Sequence, residues 1–129
     1  MAAPACGHGV YTKEEIRYVL NAAITGFSAA RRESVRILAG TPSQIVIHTG
    51  FWGCGAFGGN RTLMTILQAL AGDLADVDIE FWAFDRAGLK IAEDAYQVYV
   101  SLRDTKASVF QVLDELVRRK YQWGVSDEN

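Results

Sequence analysis

Apolar residues recur at helical spacing early in the chain, at Ile16, Val19, Leu20, Ala23, Ile24 and Phe27. They follow Thr12-Lys-Glu-Glu15, where a hydroxyl can cap backbone N–H groups and a glutamate three residues on can reach back. The pattern predicts an amphipathic helix over 13–27. Arg31 to Leu38 is short and ambiguous, and Gly40-Thr-Pro42 breaks the chain. Gln44 to Thr49 is β-branched and bounded by turn residues, which predicts a buried strand. A glycine-rich loop runs from Gly50 to Gly59, and Asn60 is a natural N-cap for the helix that follows. Leu63, Ile66, Leu67 and Leu70 mark that helix's buried face, with Gly72 as its C-terminal stop. Asp78 to Phe84 predicts a second strand. Two more helices follow, over 86–102 (Ala92, Ala95, Tyr96, Tyr99, Leu102) and 106–121 (Val109, Val112, Leu113, Leu116). Residues 1–11 read as a disordered leader, 12–123 as the folded part and 124–129 as a polar, frayed tail.

Two strands separated by one helix make a βαβ unit and imply a parallel pair. Parallel strands are normally buried on both faces and flanked by further strands. The class expected is therefore α/β with an incomplete sheet: about two parallel strands with four to five helices.

Composition narrows the function. Half of the 129 residues are apolar, 22% are charged and the net charge is −2. That fits a globular protein and argues against a basic groove for direct nucleic-acid binding. No segment has the roughly 18 apolar residues of a membrane span, and Met1 to Val10 lacks the pattern of a signal peptide. The expectation is a protein inside the cell, cytoplasmic or nuclear. Cys6 and Cys54 stand far apart, and Cys6 with His8 offers only two ligands, so no metal or other cofactor is expected.

The candidate chemistry lies in Thr49-Gly-Phe-Trp-Gly-Cys-Gly-Ala-Phe-Gly-Gly-Asn60. It runs from a strand end into a helix start, where unpaired N–H groups and the positive end of the helix dipole converge. Glycines let a ligand approach the backbone closely. The geometry suits a phosphate or diphosphate. Trp52 and Phe57 suggest that rings or sugars are held as well. The bland alternative is a tight turn serving helix–strand packing. Gly53, Gly55 and Gly58 also spell GxGxxG, and Asp85 after the next strand could meet a ribose, so a Rossmann-type NAD-binding domain is a rival. His48, just before the loop, reads as a core histidine more readily than as a general base. Arg31-Arg32 and Arg118-Arg119-Lys120 read as solvated faces, and residues 96–100 as core.

Gly53-Cys-Gly-Ala-Phe-Gly-Gly59, preceded by Thr49-Gly-Phe-Trp52, resembles the diphosphate-binding loop of poly(ADP-ribose) glycohydrolases, T-G-N-W-G-C-G-A-F-G-G-D. Phe51 replaces its Asn and Asn60 its Asp. Leu63, Leu67-Gln68, Phe81-Trp-Ala-Phe84, Leu20-Asn21-x-Ala23 and Gly26-Phe27 extend the resemblance over roughly residues 16–120. It implies the C-terminal half of a macrodomain-like fold and a family that hydrolyses ribose–ribose O-glycosidic bonds. It implies that Trp52, Gly53, Gly55, Ala56, Phe57, Gly58 and Gly59 bind ADP-ribose or poly(ADP-ribose). Phe57 would press on the terminal ribose and Phe84 would pack near the adenosine.

The family's catalytic acid follows a Gly-Gly-Gly run and reads Gln-Glu-Glu. This chain has no such run. Lys13-Glu-Glu-Ile-Arg17 is similar to Q-E-E-I-R, but Lys replaces Gln, no glycine loop precedes it, and a capping box accounts for both glutamates. No catalytic residue is therefore assigned here, and cleavage would need a missing N-terminal half or a complementing chain. A non-catalytic ADP-ribose reader is the other alternative.

Overall fold

A computed structural model describes residues 7–39 and 44–124. Among these lie four helices and two strands: α1 (Lys13–Ile37), β1 (Val46–Thr49), α2 (Arg61–Ala75), β2 (Asp78–Phe81), α3 (Arg86–Asp104) and α4 (Val109–Arg118). The strands pair in parallel, with Ile47 opposite Ile79 and Thr49 opposite Phe81.

The centre of the molecule is α2. Leu63, Met64, Ile66, Leu67 and Ala71 are wholly buried, and so is the polar Gln68. A helix apolar nearly all round belongs inside a domain, and α2 is packed by α1, α3 and β2. From α1, Ile16, Val19, Leu20, Ala23 and Phe27 enter the core. From α4, Val112, Leu113 and Leu116 do the same. On α3 the buried residues are Gly88, Ala92, Ala95 and Tyr99, whereas Tyr96, expected inside, is 47% exposed.

The capping box at Thr12 forms: Glu15 N–H donates to the Thr12 hydroxyl at 3.2 Å, and Thr12 N–H donates to the Glu15 carboxylate at 2.7 Å. The helix that follows runs ten residues past the expected residue 27, to Ile37. Nothing in 28–37 stops a helix, and Arg31 holds the added turns in place. Its guanidinium donates to the Asp76 carboxylate at 2.7 Å and to the Asp76 carbonyl at 3.2 Å. Arg31 is therefore tied to the end of α2 and is not part of a merely solvated face. The expected break at Gly40-Thr-Pro42 lies outside the described residues.

Gly72 does not end α2. The helix continues to Ala75, and Asp76 ends it in the left-handed conformation at φ 55°. Gly72 instead makes room for β2, since a Cβ there would lie 2.7 Å from Ile79 Cγ1. The second strand is also shorter than expected. After Phe81 the chain turns, and Asp85 caps α3 by accepting from Gly88 N–H at 2.6 Å.

The expected disordered leader is corrected as far as it is described: Val10 and Tyr11 are held against the folded part. Tyr11 is 2% exposed and stacks on Trp123 with ring centroids 4.1 Å apart. Tyr11 N–H donates to the Tyr121 carbonyl at 2.9 Å, and Trp123 N–H to the Gly9 carbonyl at 2.8 Å. An antiparallel bridge, Val10 with Gln122, joins the two segments. Burial of two large rings together outweighs the cost of ordering a few residues at either end. Residues 1–6 and 125–129 lie outside the described residues.

Candidate functional site

The loop from Gly50 to Gly59 stands at the C-terminal end of β1 and leads into α2. Open α/β sheets bind ligands at the carboxyl ends of their strands. The loop is a series of tight turns. Trp52 N–H donates to Gly50 at 2.8 Å, Cys54 N–H to Phe51 at 3.1 Å, Gly58 N–H to Gly55 at 2.9 Å and Gly59 N–H to Gly53 at 2.9 Å.

Two glycines are required by the backbone itself. Gly53 and Gly58 have φ of 74° and 64°, in the left-handed region that suits glycine. Gly59 is held by a close approach, because a Cβ there would lie 2.6 Å from the Gly53 carbonyl oxygen. The tip and the base differ. Ala56 and Phe57 are exposed, Phe57 at 40%, while Gly58 and Gly59 are buried. Trp52 is half-buried and packs against the core, anchoring the loop's near side.

The loop is fastened from three directions. Gln68, wholly buried on α2, donates from Nε2 to the Gly50 carbonyl at 2.9 Å and accepts from the Thr49 hydroxyl at 2.5 Å. Asn60 caps α2 by accepting from Leu63 N–H at 3.0 Å, and its Nδ2 donates to the Gln122 carbonyl at 2.9 Å. Asn60 N–H donates to the Tyr11 hydroxyl at 3.1 Å, and Gly124 N–H donates to the Gly58 carbonyl at 2.6 Å. The two chain ends thus form the floor under the loop's exit.

Arg61 is a site residue that motif reading missed. It is the first residue of α2, a helix with no acidic residue in its first turn. A cation there opposes the helix dipole, and the N-terminus gains nothing from it unless an anion binds nearby. The guanidinium lies 5.0 Å from the centre of the Phe51 ring, and that ring meets Phe81 edge-on at 5.1 Å. Phe51, one of the two departures from the family loop, therefore carries a cation on one side and β2 on the other. The signal available in the sequence was the unusual arginine directly after the N-cap.

Phe84 is not a core aromatic. Its side chain is fully exposed beyond the end of β2. The segment leading to it is tied to the loop: Trp82 N–H donates to the Thr49 carbonyl at 2.8 Å, and Gly50 sits so close to the Trp82 carbonyl that a Cβ would lie 2.9 Å from it. Phe57, at the loop's tip, and Phe84, beyond the end of β2, are thus both exposed aromatic rings. His48 is likewise not a core residue. It is exposed on the sheet's open face, where Trp82 Nε1 donates to its Nδ1 at 3.3 Å and Glu80 lies at 3.4 Å.

Burial pushes the Cys54 thiol up from its ordinary 9.0 to about 12, with the nearby Arg61 charge opposing. A thiol held in its protonated form is a poor nucleophile. Burial also raises the Tyr11 hydroxyl from 10.0 to about 12, against the Asn60 hydrogen bond. Both groups are neutral when protonated, and folding raises both values. Their contribution to stability is whole below pH 9.0 and is lost as pH climbs from there toward 12. Denaturant midpoints measured across that range should fall, and Cys54→Ser should remove the part that begins near the ordinary thiol value. A midpoint that stays flat to pH 11 contradicts this reading.

Glu15 holds the capping box with Thr12, so its carboxylate is occupied in capping the start of α1. Among the described residues no group of three or more His, Cys, Asp or Glu gathers to hold a metal, and no helix is long and apolar enough to cross a membrane.

The family described as "Poly (ADP-ribose) glycohydrolase (PARG), Macro domain fold" matches residues 4–91, which contain the loop, Arg61, Gln68 and Phe84. The chain belongs to the poly(ADP-ribose) glycohydrolase family. It is 40% identical over 65 residues to Poly(ADP-ribose) glycohydrolase 1 of Caenorhabditis elegans, covering 46% of this chain and 8% of that protein. It is 40% identical over 42 residues to Poly(ADP-ribose) glycohydrolase 2 of the same organism, covering 33% of this chain and 9% of that one. The matched region is less than a tenth of either relative's length. Within this family's macro-domain fold, the two parallel strands and four helices are a partial α/β unit.

Proposed function

We propose that the Gly50–Gly59 loop binds the diphosphate and terminal ribose of ADP-ribose, free or at the end of poly(ADP-ribose). The observation that carries this is the first turn of α2. It has no acidic residue and begins with Arg61, so positive potential collects where the loop delivers its turns. The exposed rings of Phe57 and Phe84 supply surfaces for the ribose and the adenosine, and Trp52 fixes the loop from behind.

Hydrolysis of a ribose–ribose bond needs a carboxylic acid that protonates the leaving oxygen and then activates water. Glu15 is committed to Thr12. In this reading the acid is supplied by a complementing segment or chain, and these residues bind better than they cleave. The rival NAD-binding reading relied on Asp85 as a ribose acceptor, and Asp85 is already the N-cap of α3. Action inside the cell, cytoplasmic or nuclear, belongs to the same proposal.

Arg61→Glu tests it. Charge reversal should weaken ADP-ribose binding by about tenfold or more, and adenosine, which has no phosphate, should bind both forms equally weakly. Equal ADP-ribose affinity in the two forms would remove Arg61 and the α2 terminus from the site.

A further inference from the structure

Arg31, Arg36, Arg118 and Arg119 each give their guanidinium to a carboxylate. Arg61 does not. Among the described residues its side chain makes no ion pair and no hydrogen bond, and it lies over the Phe51 ring, 5.0 Å from the ring centre. The charge stands close enough to the loop to oppose the rise of the Cys54 thiol.

The ring is itself fixed. Phe81 of β2 meets it edge-on at 5.1 Å. From α3, a Cβ on Gly88 would lie 3.0 Å from its Cε2. Two elements therefore limit where the ring can go, and the Phe51 carbonyl is tied by the Cys54 N–H at 3.1 Å.

The kind of partner matters. A carboxylate would occupy the guanidinium's donors and cancel its charge before any anion arrived. An aromatic face attracts the cation through its quadrupole and leaves the charge in place. A loose arginine would also lose rotamer freedom on meeting an anion, and one already held loses less. The Asn that Phe51 replaces in the family loop has no such face.

We propose that Phe51 is a positioning residue: its ring holds the Arg61 guanidinium, still charged and unpaired, at the start of α2, ready for a diphosphate. This rests on the reading that Arg61 meets the diphosphate of ADP-ribose.

The test is a double-mutant cycle on the full chain, read as ADP-ribose affinity. Phe51→Leu, which keeps apolar bulk without a π face, should weaken binding about fivefold, and Phe51→Tyr should restore it to within about twofold. In an Arg61→Gln background, Phe51→Leu should cost nothing further, because the ring acts only through the cation. The ligand-free chain gives a second readout. Ring current should move the Arg61 side-chain proton resonances upfield in the native chain and in Phe51→Tyr, but not in Phe51→Leu. A fivefold loss that persists without Arg61 would make Phe51 a structural residue of the loop and overturn the proposal. So would native-like affinity in Phe51→Leu, or unshifted Arg61 protons in the native chain. An Arg61→Gln variant that binds as tightly as the native chain would instead overturn the reading beneath it.

Discussion

Trp123→Ala is expected to destabilise the chain by about 3–5 kcal/mol, the usual range for emptying a buried aromatic site. Trp123 is 8% exposed, stacks flat on Tyr11 and presses on Gly7, where a Cβ would lie 2.1 Å from the indole. Its removal leaves Tyr11 unsupported, and Tyr11 receives the Asn60 N–H at the start of α2. The loss therefore reaches the loop through Asn60 and through the Gly124–Gly58 bond. Chemical denaturation should show it as a lower midpoint with an unchanged slope. Trp123→Phe, which keeps a stacked ring, should recover most of the loss. If Trp123→Ala costs under about 1 kcal/mol, the C-terminal segment is not part of the folded unit.

Gln68→Leu is the second large effect, expected at about 2–4 kcal/mol. The change conserves bulk but strips partners from the Gly50 carbonyl and the Thr49 hydroxyl in a half-buried place, and each unpaired group costs about 1–3 kcal/mol. These two bonds are where α2 grips the loop's entrance. Weaker ADP-ribose binding should therefore accompany the loss of stability, measured at a temperature where the variant is still folded. An unchanged affinity in a destabilised variant would show that the entrance and the ligand-facing tip are independent.

Local rules made part of this legible. The Thr12–Glu15 box and the Asn60 cap were readable because each motif lies within a few residues. The loop's position between a strand and a helix was readable for the same reason. Gly53 and Gly58 do take the left-handed backbone that glycine runs suggest. What depended on contacts far along the chain was not readable. Gly72 looked like a stop, yet Ile79 packs against it inside the helix. Arg31 looked like a surface charge until Asp76 arrived beside it. Tyr11 and Trp123 meet across nearly the whole chain, and no periodicity links them. His48 was assigned to the core because its strand is apolar, but alternation in a sheet covered on one face sends it outward. The second strand, expected to reach Phe84, ends at Phe81, and Phe84 stands exposed beyond it.

The central claim is that the loop recognises ADP-ribose through phosphate donors and exposed rings. Calorimetric titration of the folded chain with ADP-ribose, with NAD and a Phe57→Ala variant alongside, tests it most directly. ADP-ribose should bind in preference to NAD, and Phe57→Ala should weaken it by roughly tenfold, about 1.4 kcal/mol. No heat from a chain shown to be folded, or binding indifferent to Phe57, would contradict it.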